Sequence, residues 1–371
     1  MKVFADHTKE CGRLARENHE TAPGNTRASR PRSCVLAMTV LATLLLAVGC
    51  SPGNNPANTV FVYTSVDDVF ARPVCEQFQK QTGIEVKLVP DAEETKSTGL
   101  LNRLIAEKAR PQADVFWSGD PVRAAVLKAK GISAPFKPAG PADATGRFSD
   151  SAGHWSALSA RARVLIVNTN LVPAAETPQT LQAFLDPKWR GKACLANPLF
   201  GTTSMHAAAL FETMGEAKAK EFFGGLRANG VKMLSSNGEV KRRVASGEFA
   251  FGLTDTDDAS VSIKEGKPVT LVYPDQDGAG TLIVPNAAVL IANGPNPENG
   301  KKFMDYLLTV AVEQALAQSE AAQMPLRPGV PVPPNVKRVE EIKAMAVDYE
   351  KLGARLEALA AGFLRTWAGA Q

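Results

Sequence analysis

The sequence predicts an α/β protein built from two doubly wound parts, and three observations support this class. The chain has 371 residues, too many for one ordinary domain and a suitable number for two domains with a removable leader. Short apolar segments alternate with amphipathic segments of helical period, which is typical of parallel strands connected by helices. A second block of the same style begins near residue 163. In such sheets, ligands gather at the carboxyl ends of the strands.

The first block alternates three strands with three helices. The predicted elements are strands at 60–65, 84–89 and 113–117, and helices at 69–82, 99–109 and 121–130. Gly83 ends the first helix and Pro111 follows the second, as helix stop signals do. This β-α order indicates a mainly parallel sheet with helices on both faces.

The second block continues with strands and longer helices. Its predicted elements are strands at 163–167, 192–196, 249–253 and 282–291, helices at 204–214, 216–228 and 297–318, and a helical tail at 339–367. No sequence repeat links the two blocks. The strand at 282–291 and the helix at 297–318 resume the style of the first block.

The amino terminus reads as an export signal. Arg30 and Arg32 precede an apolar run at 34–49, which is shorter than the roughly 20 residues of a membrane span. Cys50 follows Ala-Val-Gly as in a bacterial lipobox, so we expect a leader at 1–49, a lipid on Cys50 and a polar tether at 50–58. The alternative is a plain signal peptide with a chance cysteine.

Charge, cysteine and histidine content exclude several classes. The net charge is +4, but seven basic and four acidic residues before Cys50 account for three of these charges. The nearly neutral remainder disfavours nucleic-acid binding. Cys75 and Cys194 lie far apart without a C-x-x-C spacing, which disfavours zinc and dithiol sites and favours buried apolar roles. Only His154 and His206 follow the leader, which weakens histidine-based catalysis and metal binding.

Acidic and hydroxyl side chains cluster just past the predicted strand ends. They are Ser65, Asp67, Asp68, Ser118, Asp120, Asp255, Asp257 and Asp258. Converging carboxylates repel unless a cation neutralises them, so they predict a metal ion or an ammonium group. The candidate metal ligands are Asp67, Asp120, Asp257 and Asp258. Helix capping is the alternative role for three of them, namely Asp67, Asp120 and Asp257.

A second candidate subsite lies at the start of the helix predicted at 204–214. Thr202, Thr203 and Ser204 place hydroxyl groups beside free backbone N–H groups, which suit an anion. The alternative is that Thr203 or Ser204 only caps the helix. Arg161 and Arg163 could pair with the carboxylates, with an anion, or in a structural salt bridge.

Ordered segments from residue 60 to residue 327 resemble the ferric-iron branch of the bacterial extracellular solute-binding proteins. They are Val-Tyr-Thr-Ser at 62–65, Thr-Gly-Ile-Glu-Val at 82–86, Ala-Asp-Val-Phe-Trp-Ser at 113–118, Trp-Ser-Ala-Leu-Ser-Ala-Arg-Ala-Arg-Val at 155–164, Pro-Lys-Trp-Arg-Gly-Lys at 187–192, Val-Ala-Ser-Gly-Glu at 244–248 and Asn-Ala-Ala-Val-Leu at 286–290. The resemblance implies a type II periplasmic binding protein, in which two lobes joined by crossing hinge strands close over a solute. It also implies a monomer without enzymatic activity or a required cofactor, working with ABC permease and ATPase subunits.

This resemblance sets the expected domain boundaries and the first ligand hypothesis. We expect lobe 1 at 59–163 and 286–337, lobe 2 at 164–285, and C-terminal helices at 338–371 packing on lobe 2. Relatives that bind iron through tyrosinate carry Tyr-Tyr where Asp257 and Asp258 stand here, and often a His where Asp67 and Asp68 stand. Ferric iron or another cation is nevertheless the first expectation for the captured solute.

Two other functions stay open. The first is capture of a small organic amine or a phosphorylated or phosphonate solute, through the aspartates and the turn at 202–204. The second is a hydrolase that uses Asp120 and Asp257 as an acid and base pair. The resemblance and the scarcity of histidine oppose the hydrolase.

Overall fold

The protein is described by a computed structural model over residues 58–92, 95–139 and 148–369. Cys50, the expected leader and all but the last residue of the expected tether lie outside these residues. Within the described ranges, no helix is both long enough and apolar enough to cross a membrane.

Ten strands of the described residues form the central sheet. They are β1 (Thr59–Thr64), β2 (Glu85–Pro90), β3 (Val115–Ser118), β4 (Ser133–Ala134), β5 (Ser156–Asn168), β6 (Ala193–Ala196), β7 (Lys232–Leu234), β8 (Phe251–Asp255), β9 (Val269–Val272) and β10 (Ile283–Ile291). The main order is β2-β1-β3-β10-β5-β8-β6-β7, with β4 beside β10 and β9 beside β5.

Eleven helices connect and cover these strands in the described part of the chain. They are α1 (Asp68–Thr82), α2 (Thr98–Ala106), α3 (Pro121–Ala129), α4 (Gly201–Met214), α5 (Glu216–Ala228), α6 (Asn237–Ala245), α7 (Thr256–Lys264), α8 (Pro297–Leu307), α9 (Val310–Gln318), α10 (Tyr349–Ala361) and α11 (Phe363–Gly369).

Two parallel sets of strands are joined by two antiparallel strands. β1 pairs in parallel with β2 and β3, and β6 pairs in parallel with β7 and β8. β5 pairs with β10 along its first half and with β8 and β9 along its second half, always antiparallel. The fold is therefore the predicted one, with two doubly wound lobes joined by crossing strands. We call the β1–β3 side the first lobe and the β6–β9 side the second lobe.

Alternating side chains give each lobe a core on both faces of its sheet. On β1, Val62 packs with Phe78 and Phe303, whereas Tyr63 faces the opposite layer. On β5, Leu165 and Ile166 likewise enter different clusters. Each large apolar side chain that is buried in this way contributes roughly 1.5–3 kcal/mol to folding.

The sequence-based boundaries differ from the structure most clearly at β5, at α8 and α9, and at the C-terminal tail. β5 starts seven residues before the strand predicted at 163, because its first half pairs with β10. The helix predicted at 297–318 divides into α8 and α9, where Thr309 caps α9. The tail predicted as helical from 339 becomes regular only at α10, after a short 3-10 turn at Val339–Glu341.

Helix α10 contacts both lobes, whereas the sequence-based expectation named only the second lobe as the partner of the C-terminal helices. Gly353 makes the approach to α3 of the first lobe possible, since a Cβ there would lie 3.1 Å from Ala125 Cβ. Leu352 and Leu356 join the core of the second lobe. The helix therefore bridges the lobes because its two faces have different neighbours.

Candidate functional site

A small cavity of about 40 Å³ opens where the strand ends of the two lobes face each other. Both lobes line it: its wall includes Ser65, Asp67, Lys96, Ser97, Arg161, Asn197, Gly201, Thr202, Thr203, Ser235, Ser236, Asn237, Asp255, Asp257 and Asp258. A water needs roughly 10–15 Å³ of such space, so the cavity suits a small solute. Most of these side chains are polar or charged.

Asp255 is the buried centre of the site. It ends β8, and its carboxylate lies 2.7 Å from Arg163 Nη1 and 3.1 Å from Arg161 Nη1. Thr202 donates its hydroxyl hydrogen to Asp255 at 2.7 Å. Burial opposes the charge, but Arg163 and Arg161 together hold the pKa of Asp255 below its usual range. Asp255 is therefore an anchor for the two arginines.

Asp257 stands in the first turn of α7 and is less well compensated. Its Oδ2 lies 3.2 Å from Arg161 Nη1, and its Oδ1 accepts a hydrogen bond from the backbone N–H of Asp258. Burial raises the pKa of Asp257 to about 6; Arg161 opposes this shift, and the nearby Asp258 and Asp255 add to it. Arg161 neutralises the Asp257 carboxylate only in part, so this group can accept a further positively charged partner.

Two further carboxylates at the cavity have basic partners. Asp258 lies 3.3 Å from Lys241 Nζ and accepts a hydrogen bond from Thr254 at 2.8 Å. Asp67, in the first lobe, pairs with Lys96. Neither group is an uncompensated charge.

Lys96 and Arg161 bring positive charge to the same cavity. Burial lowers the pKa of Lys96 to about 8, and the nearby Arg161 adds to this shift. For Arg161, burial lowers the pKa, but three aspartates raise it above its ordinary value. Arg161 also donates to the carbonyl oxygen of Gly119 at 2.5 Å. The cavity therefore combines acidic and basic groups.

The first turn of α4 forms one wall of the cavity. Phe200 at the cap position gives no side-chain cap, and Gly201 donates its N–H to Lys96 O at 3.0 Å. Thr203 accepts from Arg163 at 3.2 Å and donates to Asn237 at 3.1 Å. The first-turn N–H groups of a helix lack partners inside the helix and favour an anion.

The structure brings together only some of the side chains that the sequence suggested. Ser65, Asp67, Thr202, Thr203, Asp255, Asp257 and Asp258 line the cavity, whereas Asp68, Ser118, Asp120 and Ser204 do not. Asp68 lies one position after Asp67, and consecutive side chains on a helix face different directions. Asp68 therefore points away from the cavity and pairs with Arg72 on the surface of α1.

The remaining predicted residues are buried behind the wall. Asp120 caps α3 by accepting from the N–H groups of Val122 and Arg123. Ser118 donates to the carbonyl oxygen of Asp120, and Ser204 accepts from Arg123.

The four aspartates proposed as metal ligands do not form a metal centre. Across the described ranges, no group of three or more His, Cys, Asp or Glu side chains is placed to hold a metal ion. Asp120 is turned into its helix cap, and Asp67, Asp257 and Asp258 each face a basic partner. The expectation of converging free carboxylates is corrected, because basic side chains of the same chain neutralise them.

Sequence reasoning missed Lys96, Asn197, Ser235, Ser236 and Asn237. Asn197 follows β6, and Ser235 to Asn237 follow β7, so the rule that ligands gather at strand ends could have identified them. Lys96 precedes α2 and had no such signal. Its side chain pairs with Asp67 of the first lobe, and its carbonyl oxygen accepts a hydrogen bond from Gly201 of the second lobe.

The two lobes, the crossing strands and the interlobe cavity define a solute-binding protein of the type II periplasmic class. Residues 74–344 match the family model described as "Bacterial extracellular solute-binding protein". The chain belongs to this family, which is a family of binding proteins that serve ABC importers and not a class of enzymes.

The relatives differ in their stated ligands. The chain is 27% identical to "Iron uptake protein A1" of Synechocystis sp., over 79% of this chain and 81% of that protein. It is 28% identical to the "Putative 2-aminoethylphosphonate-binding periplasmic protein" of Salmonella typhi, over 69% of this chain and 73% of that protein. Iron-bound HitA from Pseudomonas aeruginosa has a similar fold, with a TM-score of 0.73 at 24% identity, covering 83% of this chain and 99% of HitA.

Proposed function

We propose that this protein captures a small zwitterionic solute, an amine that carries a phosphonate or phosphate group, for import by an ABC permease and ATPase. The observation that carries the proposal is the placement of Lys96, Arg161 and the first turn of α4 beside Asp257 and Asp258 in one cavity. This choice develops the second ligand hypothesis from the sequence.

The anionic group of the solute binds at the first turn of α4. Lys96 and Arg161 supply charge-assisted donors, and Thr203 and Asn237 supply neutral polar groups at the same wall. The positive end of the helix dipole at the start of α4 favours the same sign of charge. A phosphonate or phosphate has three or more oxygens to match these donors.

The ammonium group binds at Asp257 and Asp258. Burial and the two neighbouring aspartates keep the pKa of Asp257 raised to about 6. A bound ammonium at hydrogen-bond distance would stabilise the charged carboxylate and lower this pKa. The ammonium group of the solute thus adds positive charge beside Asp257, which Arg161 alone neutralises only in part.

Charge balance favours a zwitterion over a simple ion. Four aspartates face the cavity, and four basic side chains pair with them: Lys96, Arg161, Arg163 and Lys241. Uncompensated charge is costly to bury. A zwitterion adds both signs without a net change, whereas a bare phosphate or a ferric ion adds charge of one sign.

Ferric iron is the second candidate, favoured by the relative named for iron uptake and by the three carboxylates Asp67, Asp257 and Asp258 at the cavity. Iron binding would require these carboxylates to leave their basic partners, or an accompanying anion to occupy the α4 wall. Tyrosine phenolates do not line the described cavity.

Titration calorimetry distinguishes these candidates. We expect the protein to bind 2-aminoethylphosphonate more tightly than ethylphosphonate, which has the same anion without the amine, and to bind ferric citrate weakly. Asp257→Asn should lower the affinity for 2-aminoethylphosphonate about tenfold and leave ethylphosphonate nearly unchanged, because one charge-assisted contact is lost. Tight ferric citrate binding without phosphonate binding would refute the zwitterion.

The protein is further proposed to act as a monomer held outside the cytoplasm by a lipid on Cys50. The support is the apolar run at 34–49, which ends in Ala-Val-Gly directly before Cys50, together with membership of an extracellular family. Cys50→Ala should move the protein from the membrane fraction to the soluble fraction or leave it as precursor. Unchanged membrane fractionation would contradict the anchor.

A further inference from the structure

Arg123 reaches from one lobe into the other without lining the solute cavity. It lies on α3 of the first lobe and its side chain is only 1% exposed. Its Nη2 donates to Ser204 Oγ at 2.7 Å and its Nη1 donates to Gly201 O at 3.3 Å, both in the first turn of α4. A buried arginine thus holds the helix start that forms the proposed anion subsite.

Residues at the start of α2 form further hydrogen bonds to the start of α4 and to the residues just before it. Gly201 donates its N–H to Lys96 O at 3.0 Å, and Thr98 Oγ1 donates to Leu199 O at 3.4 Å. Thr98 also accepts from Arg123 Nη2 at 3.2 Å. Ser97, between these residues, is buried with φ +66°, a strained value for a residue other than glycine.

The charge of Arg123 is balanced within its own lobe. Asp120 Oδ2 lies 3.4 Å from Arg123 Nη1, and both residues belong to α3 and its cap. The groups that Arg123 meets in the second lobe are neutral oxygens. Separation of the lobes therefore breaks hydrogen bonds without separating an ion pair, which makes the contact reversible.

We propose that Arg123 is a closure latch: it fixes the first turn of α4 against the first lobe and thereby positions the anion subsite. Arg123 is a positioning residue, since it acts on the solute through α4. This proposal rests on the proposed capture of a solute between the lobes. It adds a residue that controls closure from behind the cavity wall.

Hydrogen exchange of the backbone amides of 201–204 tests the latch, because the Gly201 amide is held by Lys96 of the other lobe. The test variant is Arg123→Lys, which keeps a positive charge beside Asp120 and loses the forked contact. We expect these amides to exchange about tenfold faster in the variant, as expected for the loss of a charge-assisted hydrogen bond. Amides of α5 should keep their wild-type rates.

Two further variants separate the latch from general stability. Ser204→Ala removes the acceptor at 2.7 Å and should speed exchange of the same amides. Arg227→Lys is the matched control, since Arg227 donates to Trp367 O at 2.6 Å with both residues outside the cavity. It should leave the amides of 201–204 unchanged.

The measurement also separates failure of the latch from failure of the proposed function. Exchange is measured without solute, so it reports on the latch even if 2-aminoethylphosphonate does not bind. Where that solute binds, Arg123→Lys should weaken its affinity about tenfold. Unchanged exchange at 201–204, or equally faster exchange in α5, would show that Arg123 only stabilises the fold and would overturn the latch.

Discussion

The lobes meet in two regions of opposite chemistry. Arg161 at the cavity and Arg123 behind its wall join the lobes through hydrogen bonds and ion pairs. Along α10, the contact with the second lobe is mainly apolar, through Leu352 and Leu356. Polar contacts contribute little net free energy, since water replaces them when they open, whereas apolar burial is lost in proportion to area. The cavity side is thus suited to opening and the α10 side to holding the lobes together.

The largest expected effect comes from the apolar region. Leu356→Ala should lower the free energy of unfolding by about 2–5 kcal/mol, because it leaves a cavity in the core of the second lobe. Solute affinity of the folded protein should stay within about twofold. Denaturant unfolding and calorimetry measure the two quantities. Leu171→Ala is the control, because Leu171 is 50% exposed, and it should change stability by less than about 0.5 kcal/mol.

A different result for Leu356→Ala would mean that the α10 region and the cavity region do not differ in their roles. If Leu356→Ala weakened solute binding as strongly as it weakened folding, α10 would take part in closure and could not be treated as a passive connection.

At the cavity, a substitution should weaken solute binding more than it lowers the free energy of unfolding. Arg161→Lys keeps the charge but loses the simultaneous contacts to Asp255, Asp257 and Gly119 O. Affinity for 2-aminoethylphosphonate should fall by about 1.5–3 kcal/mol, or roughly 10- to 150-fold, with a smaller change in unfolding free energy. Arg72→Lys, on the exposed pair with Asp68, is the matched control and should leave affinity unchanged.

The fold and the cavity were predictable from the sequence to different degrees. Strand and helix periods located β1 to β3 and the segment of Thr202 and Thr203, because local patterning and strand ends determine them. Lys96 was not predictable, since it follows no strand end and its partner Asp67 lies 29 residues away in the sequence. The pairing of each aspartate with a base was also hidden, because the partners lie far apart in sequence, as for Asp258 and Lys241.

Binding should depend on pH through Asp257. Its pKa is raised to about 6 by burial and the neighbouring carboxylates, so the group is largely ionised near pH 7 and protonated near pH 5. Ammonium binding needs the ionised form. Affinity for 2-aminoethylphosphonate should therefore fall by up to about tenfold per pH unit below about 6, and it should fall again above about 8, where Lys96 loses its proton.

Stability of the solute-free protein should change in the opposite sense. The folded-state pKa lies above the unfolded value of 3.8, so the folded protein binds this proton more tightly between about pH 4 and pH 6. Raising the pH through this range removes the proton and lowers the contribution of Asp257 to stability. Asp257→Asn should remove the loss of affinity below about pH 6 and the contribution of Asp257 to the pH dependence of stability, while Asp68→Asn, on the surface of α1, should retain both. A pH-independent affinity in the wild type would separate Asp257 from the amine.

The smallest expected effect lies where α10 meets the first lobe. Glu357 pairs with Lys130 of α3 at 3.0 Å, but the side chains are 51% and 34% exposed. Water and salt screen such a pair, and holding two long side chains costs entropy, so Glu357→Gln should change the unfolding free energy by less than about 1 kcal/mol. The difference from wild type should vanish at about 1 M salt. Exchange of the α10 amides with and without salt checks this, with Leu356→Ala as the comparison, since its effect should persist in salt. A large salt-resistant effect of Glu357→Gln would mean that the ion pair holds α10 to the first lobe as strongly as apolar packing holds it to the second lobe. The cavity region and the α10 region would then resist opening equally.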